Sequence, residues 1–401
     1  MRTTKNTYFI SLVFLFILSL NTVKSQQFHQ WGGLETGPFA VGYTVVQRVD
    51  RSRIFGARTD QPTTSALDGQ PRPIQVNIWY PAQKTDTSER MNYEGYVEWI
   101  GAIGKSTPLN EETKKAGKDE FIRYFTHSGS PKEKINRLMA METAVIKNGI
   151  REKGPFPLIL FAPGVGDSPV MHTIICEYLA SHGYIVASVP SMGWLQREME
   201  LTASCIETQT RDLEYALAFM REYPFVDIHR IGTVGFSLGS CAALILAMRN
   251  TDIDVVVSLD GSIGFNDRIA LVKESPFYNP DDVRIPFLHF NIMGNKRNDL
   301  AILNSLHSSL RAIVGIKGIG HMNFTSIGMI AAVLPGFLRS IEPNAKIGYE
   351  TICLYTLRFL NAYCMAEKKD LRFLQTVPHD CNLPSGFLTV QVHKPNPGRN
   401  R

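Results

Sequence analysis

"RIGTVGFSLGSCAALILAM" (Arg230–Met248) changes character at its middle. Its first half, Arg230–Phe236, is a short apolar run of the kind a strand buried on both faces shows. Its second half has the alanines and leucines of a helix. The join reads Gly235-Phe236-Ser237-Leu238-Gly239. Glycine is costly inside either element, so two of them around a hydroxyl residue predict a turn too tight for side chains. A strand that turns sharply into a helix around G-x-S-x-G is the nucleophile-elbow pattern, in which strain lifts a serine oxygen into the open. The start of the following helix offers N–H groups and a positive dipole end to developing negative charge.

Working outward, six more short apolar runs read as strands: residues 74–82, 157–164, 184–190, 254–261, 286–294 and 312–321. Helical patterns separate them. Residues 168–183 open with a Ser cap and Pro at the first helical position and end near Gly183. Residues 207–224, 241–250 and 298–310 follow. This alternation predicts an α/β fold: a mostly parallel central sheet with helices on both faces. One domain is expected over residues 26–401. Tyr93–Gly149 breaks the alternation with a charged, helical pattern. It is expected to be an insertion packed over an edge or end of the sheet, either as padding or as a cap. If Leu138, Met139 and Met141 face the serine, the mouth is narrow and apolar, and short acyl groups are favoured.

The chain has 401 residues, 44% hydrophobic and 20% charged, which is an ordinary globular balance. Arg2 and Lys5 precede an apolar stretch, Tyr8–Leu20, too short for an ordinary membrane span. Val23 and Ser25 are small residues where a signal peptidase cuts. A signal sequence cleaved after Ser25 is therefore expected, with a secreted or periplasmic mature chain that has no stable membrane span. Its loss removes Arg2, Lys5 and Lys24 and no acid, taking the formal charge from +5 to +2. A near-neutral chain gives no reason to expect nucleic acid. Cys176 and Cys241 fall in apolar helical patterns and read as buried thiols. Cys353 and Cys364 are too far apart on one helix to bridge each other. No C-x-x-C or H-E-x-x-H occurs, so neither a metal nor another cofactor is expected.

A serine hydroxyl needs a base, and on this fold the partners follow in the order Ser, acid, His. Five histidines follow Ser237: His289, His307, His321, His379 and His393. His289 lies inside a strand, His307 in a helical pattern, and His379 and His393 in a polar tail. His321 alone sits just past a strand end, in "GIGHMNF". For the acid, Asp260 ends the strand after the nucleophile's strand and helix and is favoured. Asp299, one strand later and near a helix start, is the alternative. The oxyanion donors are expected to be the N–H of Leu238 and, from the loop after residues 158–162, that of Val165 between Gly164 and Gly166.

These pieces together resemble the α/β-hydrolases, and among them the dienelactone hydrolases and plasma-type platelet-activating-factor acetylhydrolases. The matching stretches are "VNIWYPA" (Val76–Ala82), "LILFAPGVG" (Leu158–Gly166), "GFSLGS" (Gly235–Ser240), "SLDG" (Ser258–Gly261) and "GHMNF" (Gly320–Phe324). The helix "YETICLYTLRFLNAY" (Tyr349–Tyr363) is similar to the closing helix of such esterases. The resemblance spans roughly residues 70 to 365, the insertion excepted. In the acetylhydrolases the acid lies in an L-D context and the base in an H-x-N-F context, here Asp260 and His321. Two features depart from it. Pro163-Gly164 stands where the acetylhydrolases have His-Gly, and Ser237 where dienelactone hydrolases have cysteine. The resemblance implies a serine hydrolase of carboxylic esters with a short acyl group, carried on a lipid, a sugar or a small lactone. A catalytically inactive hydrolase fold kept as an extracellular binding module is the alternative.

Overall fold

The computed structural model describes residues 28–56, 69–84, 89–373 and 383–396. The expected signal sequence lies outside these residues, as do His379 and Cys381. Among the described residues eleven strands follow in chain order: β1 (Ala40–Phe55), β2 (Gln70–Ala82), β3 (Arg90–Asn92), β4 (Glu142–Ile146), β5 (Phe156–Ala162), β6 (Ile185–Ser188), β7 (Val226–Phe236), β8 (Val255–Leu259), β9 (Phe287–Ile292), β10 (Arg311–Ile316) and β11 (Leu388–His393). They form one sheet in the order β11-β10-β9-β8-β7-β5-β6-β2-β1-β4-β3. The six strands from β6 to β10 in that order run parallel.

Alternation within the apolar runs divides the core in two. Ile159, Phe161, Val234, Phe236, Val257 and Leu259 pack on one face of the sheet. Leu158, Leu160, Ala162, Ile231 and Val256 pack on the other. Side chains of a strand point alternately to opposite faces, so a strand in the middle must be apolar throughout. The helices are α1 (Glu94–Val97), α2 (Glu111–His127), α3 (Lys132–Ala140), α4 (Thr173–Ser181), α5 (Ala203–Met220), α6 (Gly239–Arg249), α7 (Ile269–Lys273), α8 (Ala301–Ser305), α9 (Ser326–Val333), α10 (Ala345–Tyr363) and α11 (Lys368–Phe373). Residues of α4, α9 and α10 cover the first face, and those of α5 and α6 the second. The five described cysteines are buried and unpaired.

Several elements differ from the sequence reading. β1 and β2 make a long antiparallel pair, from Ala40 opposite Ala82 to Phe55 opposite Gln70. β1 escapes an apolar-run search because much of it is half-exposed and carries Arg48, Asp50 and Arg51. β11 adds an antiparallel edge to β10, with His393 opposite Arg311, so this histidine belongs to a strand and not to a polar tail. α8 is a single short turn of helix that stops at Ser305, leaving His307 in the turn beyond it. The insertion is also not wholly helical. Its helix α3 ends at Ala140, and Thr143, Val145 and Ile146 form β4, which pairs with β3 and touches β1. β-branched residues at three of five positions favour that strand over a longer helix.

Where the insertion meets the core, Glu177 of α4 is fully buried. Its carboxylate accepts hydrogen bonds from Trp31 Nε1 (2.9 Å), the Tyr96 hydroxyl (2.7 Å) and the Ala144 N–H (3.2 Å). Burial pushes its pKa up to about 7, against the pull of these donors and of Arg90. The folded state therefore keeps this proton at pH values where the unfolded chain has lost it. The contribution to stability is full below the ordinary glutamate value, falls as pH rises toward 7, and is level above it, a loss of ~3 kcal/mol. Urea midpoints at pH 5 and 7.5 should therefore differ more in the wild type than in Glu177→Gln. Equal pH responses of the two proteins would exclude Glu177 as the source.

Candidate active site

β7 delivers Ser237 at its carboxyl end. Ser237 has φ +50, in the left-handed region that costs a non-glycine residue strain. The two flanking glycines are required for different reasons. A Cβ on Gly235 would lie 2.5 Å from the Ser240 Cα and 2.6 Å from the Gly239 carbonyl oxygen, across the turn itself. A Cβ on Gly239 would lie 2.1 Å from the Ala162 carbonyl oxygen and 2.4 Å from that of Pro163. The second glycine thus lets α6 start against the end of β5, and the collision is not across the turn as its sequence position suggests.

The next strand end is joined to this elbow. The Ser237 N–H donates to the Leu259 carbonyl (3.2 Å), and the Ser262 N–H donates to the Ser237 carbonyl (2.9 Å). Between Leu259 and Ser262 sits Asp260, also at positive φ (+39) and 1% exposed. Its Oδ2 lies 2.6 Å from His321 Nδ1, and its Oδ1 has no hydrogen-bond partner among the described residues. His321 opens a 3₁₀ turn (His321–Phe324) in the connection between β10 and α9. The Asn323 side chain accepts from the Gly320 N–H (2.7 Å) and fixes the turn's entry. The imidazole stacks on Phe236 with ring centroids 4.7 Å apart and planes at 27°.

The structure thus brings Asp260 to His321 and leaves Asp299 elsewhere. The Asp299 side chain accepts from the N–H of Ala301, the first residue of α8 (2.8 Å). Buried His289 pairs with Ser258 (3.0 Å), and burial lowers its pKa to about 3. Leu238 is buried at the start of α6, while Val165 is exposed in the turn that the Asp167 N–H closes onto the Gly164 carbonyl (3.2 Å).

Ser237, His321, Val165 and Phe236 line one cavity of about 760 Å³. Its far wall is the insertion. Asn110 and Thr113 form a reciprocal cap at the start of α2, and the other end of that helix carries Phe121, Tyr124, Phe125 and His127 into the cavity lining. Arg197, in the loop after β6, holds Glu120 of α2 through two hydrogen bonds of 2.6 and 2.9 Å. Burial, and secondly the charge of Asp167, push the Tyr124 hydroxyl pKa up. Leu138, Met139 and Met141 do not line this cavity. The first two are core residues, and Met141 packs against that core. The wall also carries Arg123 and Arg197, so it is not the narrow apolar mouth expected. Asp167 and Arg197 were not legible as site components, because neither belongs to a motif. Phe236 lies inside the serine motif but was given no role there, and α2 belongs to the insertion that the sequence left open as padding or cap.

The site lies at the carboxyl ends of β5, β7, β8 and β10, where strand order reverses about β5, the usual place for a ligand on an open α/β sheet. A ferulic acid esterase from Streptomyces cinnamoneus superimposes with a TM-score of 0.60 at 18% sequence identity, over 90% of this chain and 98% of that one. This likeness shows the α/β-hydrolase fold. Two family models match parts of the chain in sequence. The model for platelet-activating factor acetylhydrolase, isoform II, matches residues 33–192, and that for the BAAT / acyl-CoA thioester hydrolase C terminal matches residues 212–313. No curated protein is a significant match. The fold and the two partial family matches together support an α/β-hydrolase-like esterase. Val165 lies within the first matched segment, and Ser237, Leu238 and Asp260 within the second. His321 lies beyond both.

Proposed function

We propose that this esterase is a secreted serine hydrolase of carboxylic esters with a short acyl group, on a small-molecule or lipid alcohol. Ser237 attacks the ester carbonyl. His321 takes the serine proton and returns it to the leaving alcohol. Asp260 holds the imidazole by its Nδ1 and stabilises the imidazolium. The Leu238 and Val165 N–H groups receive the oxyanion, and water then hydrolyses the acyl-enzyme. The observation that carries this reading is the 2.6 Å contact of buried Asp260 with His321, in one cavity with a serine on a strained turn. The short acyl preference rests on the acetylhydrolase family match, not on the shape of the cavity. Secretion rests on the pattern of residues 1–25.

The direct test is labelling with a fluorophosphonate, followed by a panel of p-nitrophenyl esters from acetyl to palmitoyl. One adduct, on Ser237, and turnover falling with acyl length are expected. An intact protein without an adduct would remove the serine mechanism and favour an inactive binding module. Equal turnover of acetyl and palmitoyl esters would remove the short acyl preference alone.

A further inference from the structure

The turn that carries Val165 has an anchor that the catalytic reading does not use. Asp167 closes the turn, and its carbonyl accepts from the Ser191 N–H (3.0 Å). Its carboxylate Oδ1 accepts from the Ser168 N–H (2.7 Å), and Oδ2 lies 2.8 Å from His172 Nε2. His172 is fully buried. Its ring lies between Phe161 of β5 (centroids 4.7 Å apart) and Phe236 of β7 (5.1 Å). Phe236 in turn stacks on His321. Its ring also limits the approach of the turn, since a Cβ on Gly164 would lie 3.1 Å from that ring and 3.3 Å from Ser237 Cβ.

A neutral imidazole with its proton on Nε2 donates to Asp167 and leaves Nδ1 as an acceptor. No described residue partners that nitrogen, although it is buried. A buried polar atom left unpaired is a cost, so the ring is not there for packing alone. Its one polar side-chain contact among the described residues is Asp167, which is fixed at three further points, on Gly164 and Ser168 at the turn and on Ser191 of the loop after β6. The arrangement therefore sets where the Val165 N–H stands relative to Ser237.

We infer that Asp167 and His172 are positioning residues that hold the Gly164–Asp167 turn where the oxyanion of ester hydrolysis forms. This inference rests on the serine-esterase reading of Ser237. A donor displaced by about an ångström loses much of its worth in the transition state while costing little in substrate binding.

Three variants test it. His172→Phe keeps a ring between Phe161 and Phe236 and removes the donor. His172→Gln restores an N–H. Asp167→Asn alters the partly exposed end of the pair, where unfolding is of least concern. Activity is measured on an acetyl ester and normalised to sites titrated by fluorophosphonate, so loss of folded protein does not count. His172→Phe and Asp167→Asn should lower kcat per titrated site ~10- to 100-fold with KM within about threefold. Affinity for a trifluoromethyl ketone should weaken in parallel, and His172→Gln should recover part of the loss. If kcat per titrated site and ketone affinity stay at wild-type values, the inference is overturned and the esterase reading stands. If the wild type takes no adduct and hydrolyses no ester, both fall together.

Discussion

Asp260→Asn is expected to lower kcat by about 10⁴, the size of effect an amide has in a serine triad. Asp260 Oδ2 meets His321 Nδ1 at 2.6 Å, so the carboxylate keeps the proton on Nδ1 and leaves Nε2 free to accept. An asparagine that turns its NH₂ toward Nδ1 holds the opposite tautomer, with the proton on the nitrogen that must receive the serine's. The fold should tolerate the change, because Oδ1 already lacks a partner among the described residues and the substitution removes a buried charge. Asp299→Asn should change kcat little, because the Asp299 carboxylate serves the Ala301 N–H at the start of α8 and not His321. Steady-state turnover of both variants, with circular dichroism to show that each is folded, decides the matter. A large loss with Asp299→Asn and a small one with Asp260→Asn would reverse the assignment of the acid.

The strands around this site were legible because β5, β8 and the second half of β7 (from Ile231 to Phe236) are buried on both faces and spell that out as mainly apolar runs. β1 and β11 were not, since a strand near or at the sheet margin exposes residues such as Arg48, Arg51 and Gln391, and these dilute the pattern. Ser237, Asp260 and His321 were readable as candidates because the first two follow directly on β7 and β8, His321 lies in the connection after β10, and the proposed chemistry fixes their order. The roof of the cavity was legible only as one of two alternatives, since the insertion read equally as padding or as a cap. Phe121, Tyr124 and Phe125 have the spacing of an amphipathic helix, but spacing cannot say which surface a helix lies on. The Asp167–His172 pair was hidden for a related reason. Five residues apart in a loop, it has no periodicity, and its meaning comes from Phe161 and Phe236 on two different strands.

Arg72→Ala is expected to cost ~3–5 kcal/mol of stability, the range for breaking a buried ion pair from one side. Arg72, on β2, and Asp212, on α5, are each 1% exposed, and the guanidinium grips both carboxylate oxygens at 2.8 and 2.7 Å. Arg53 meets the same carboxylate at 2.7 Å. The remaining Arg72 donors reach the carbonyls of Gly193 (2.8 Å), Trp194 (3.2 Å) and Met192 (3.5 Å). Alanine therefore leaves Asp212 with one cation instead of two and strips three carbonyls of a donor. Those carbonyls begin the loop that leads to Arg197, which holds Glu120 of α2 over the cavity. Stability and access to the site are thus coupled through one guanidinium. Arg72→Lys keeps the charge but has no planar fork to serve a carboxylate and several carbonyls at once, so it should recover only part of the loss. The urea midpoint should fall furthest for alanine and less for lysine, with KM for the ester rising in the same order as the loop loosens. A lysine variant as stable as the wild type would mean that charge alone matters at this position. An alanine variant with an unshifted midpoint would mean that water repays the buried groups, and the coupling of this loop to the fold would have to lie elsewhere.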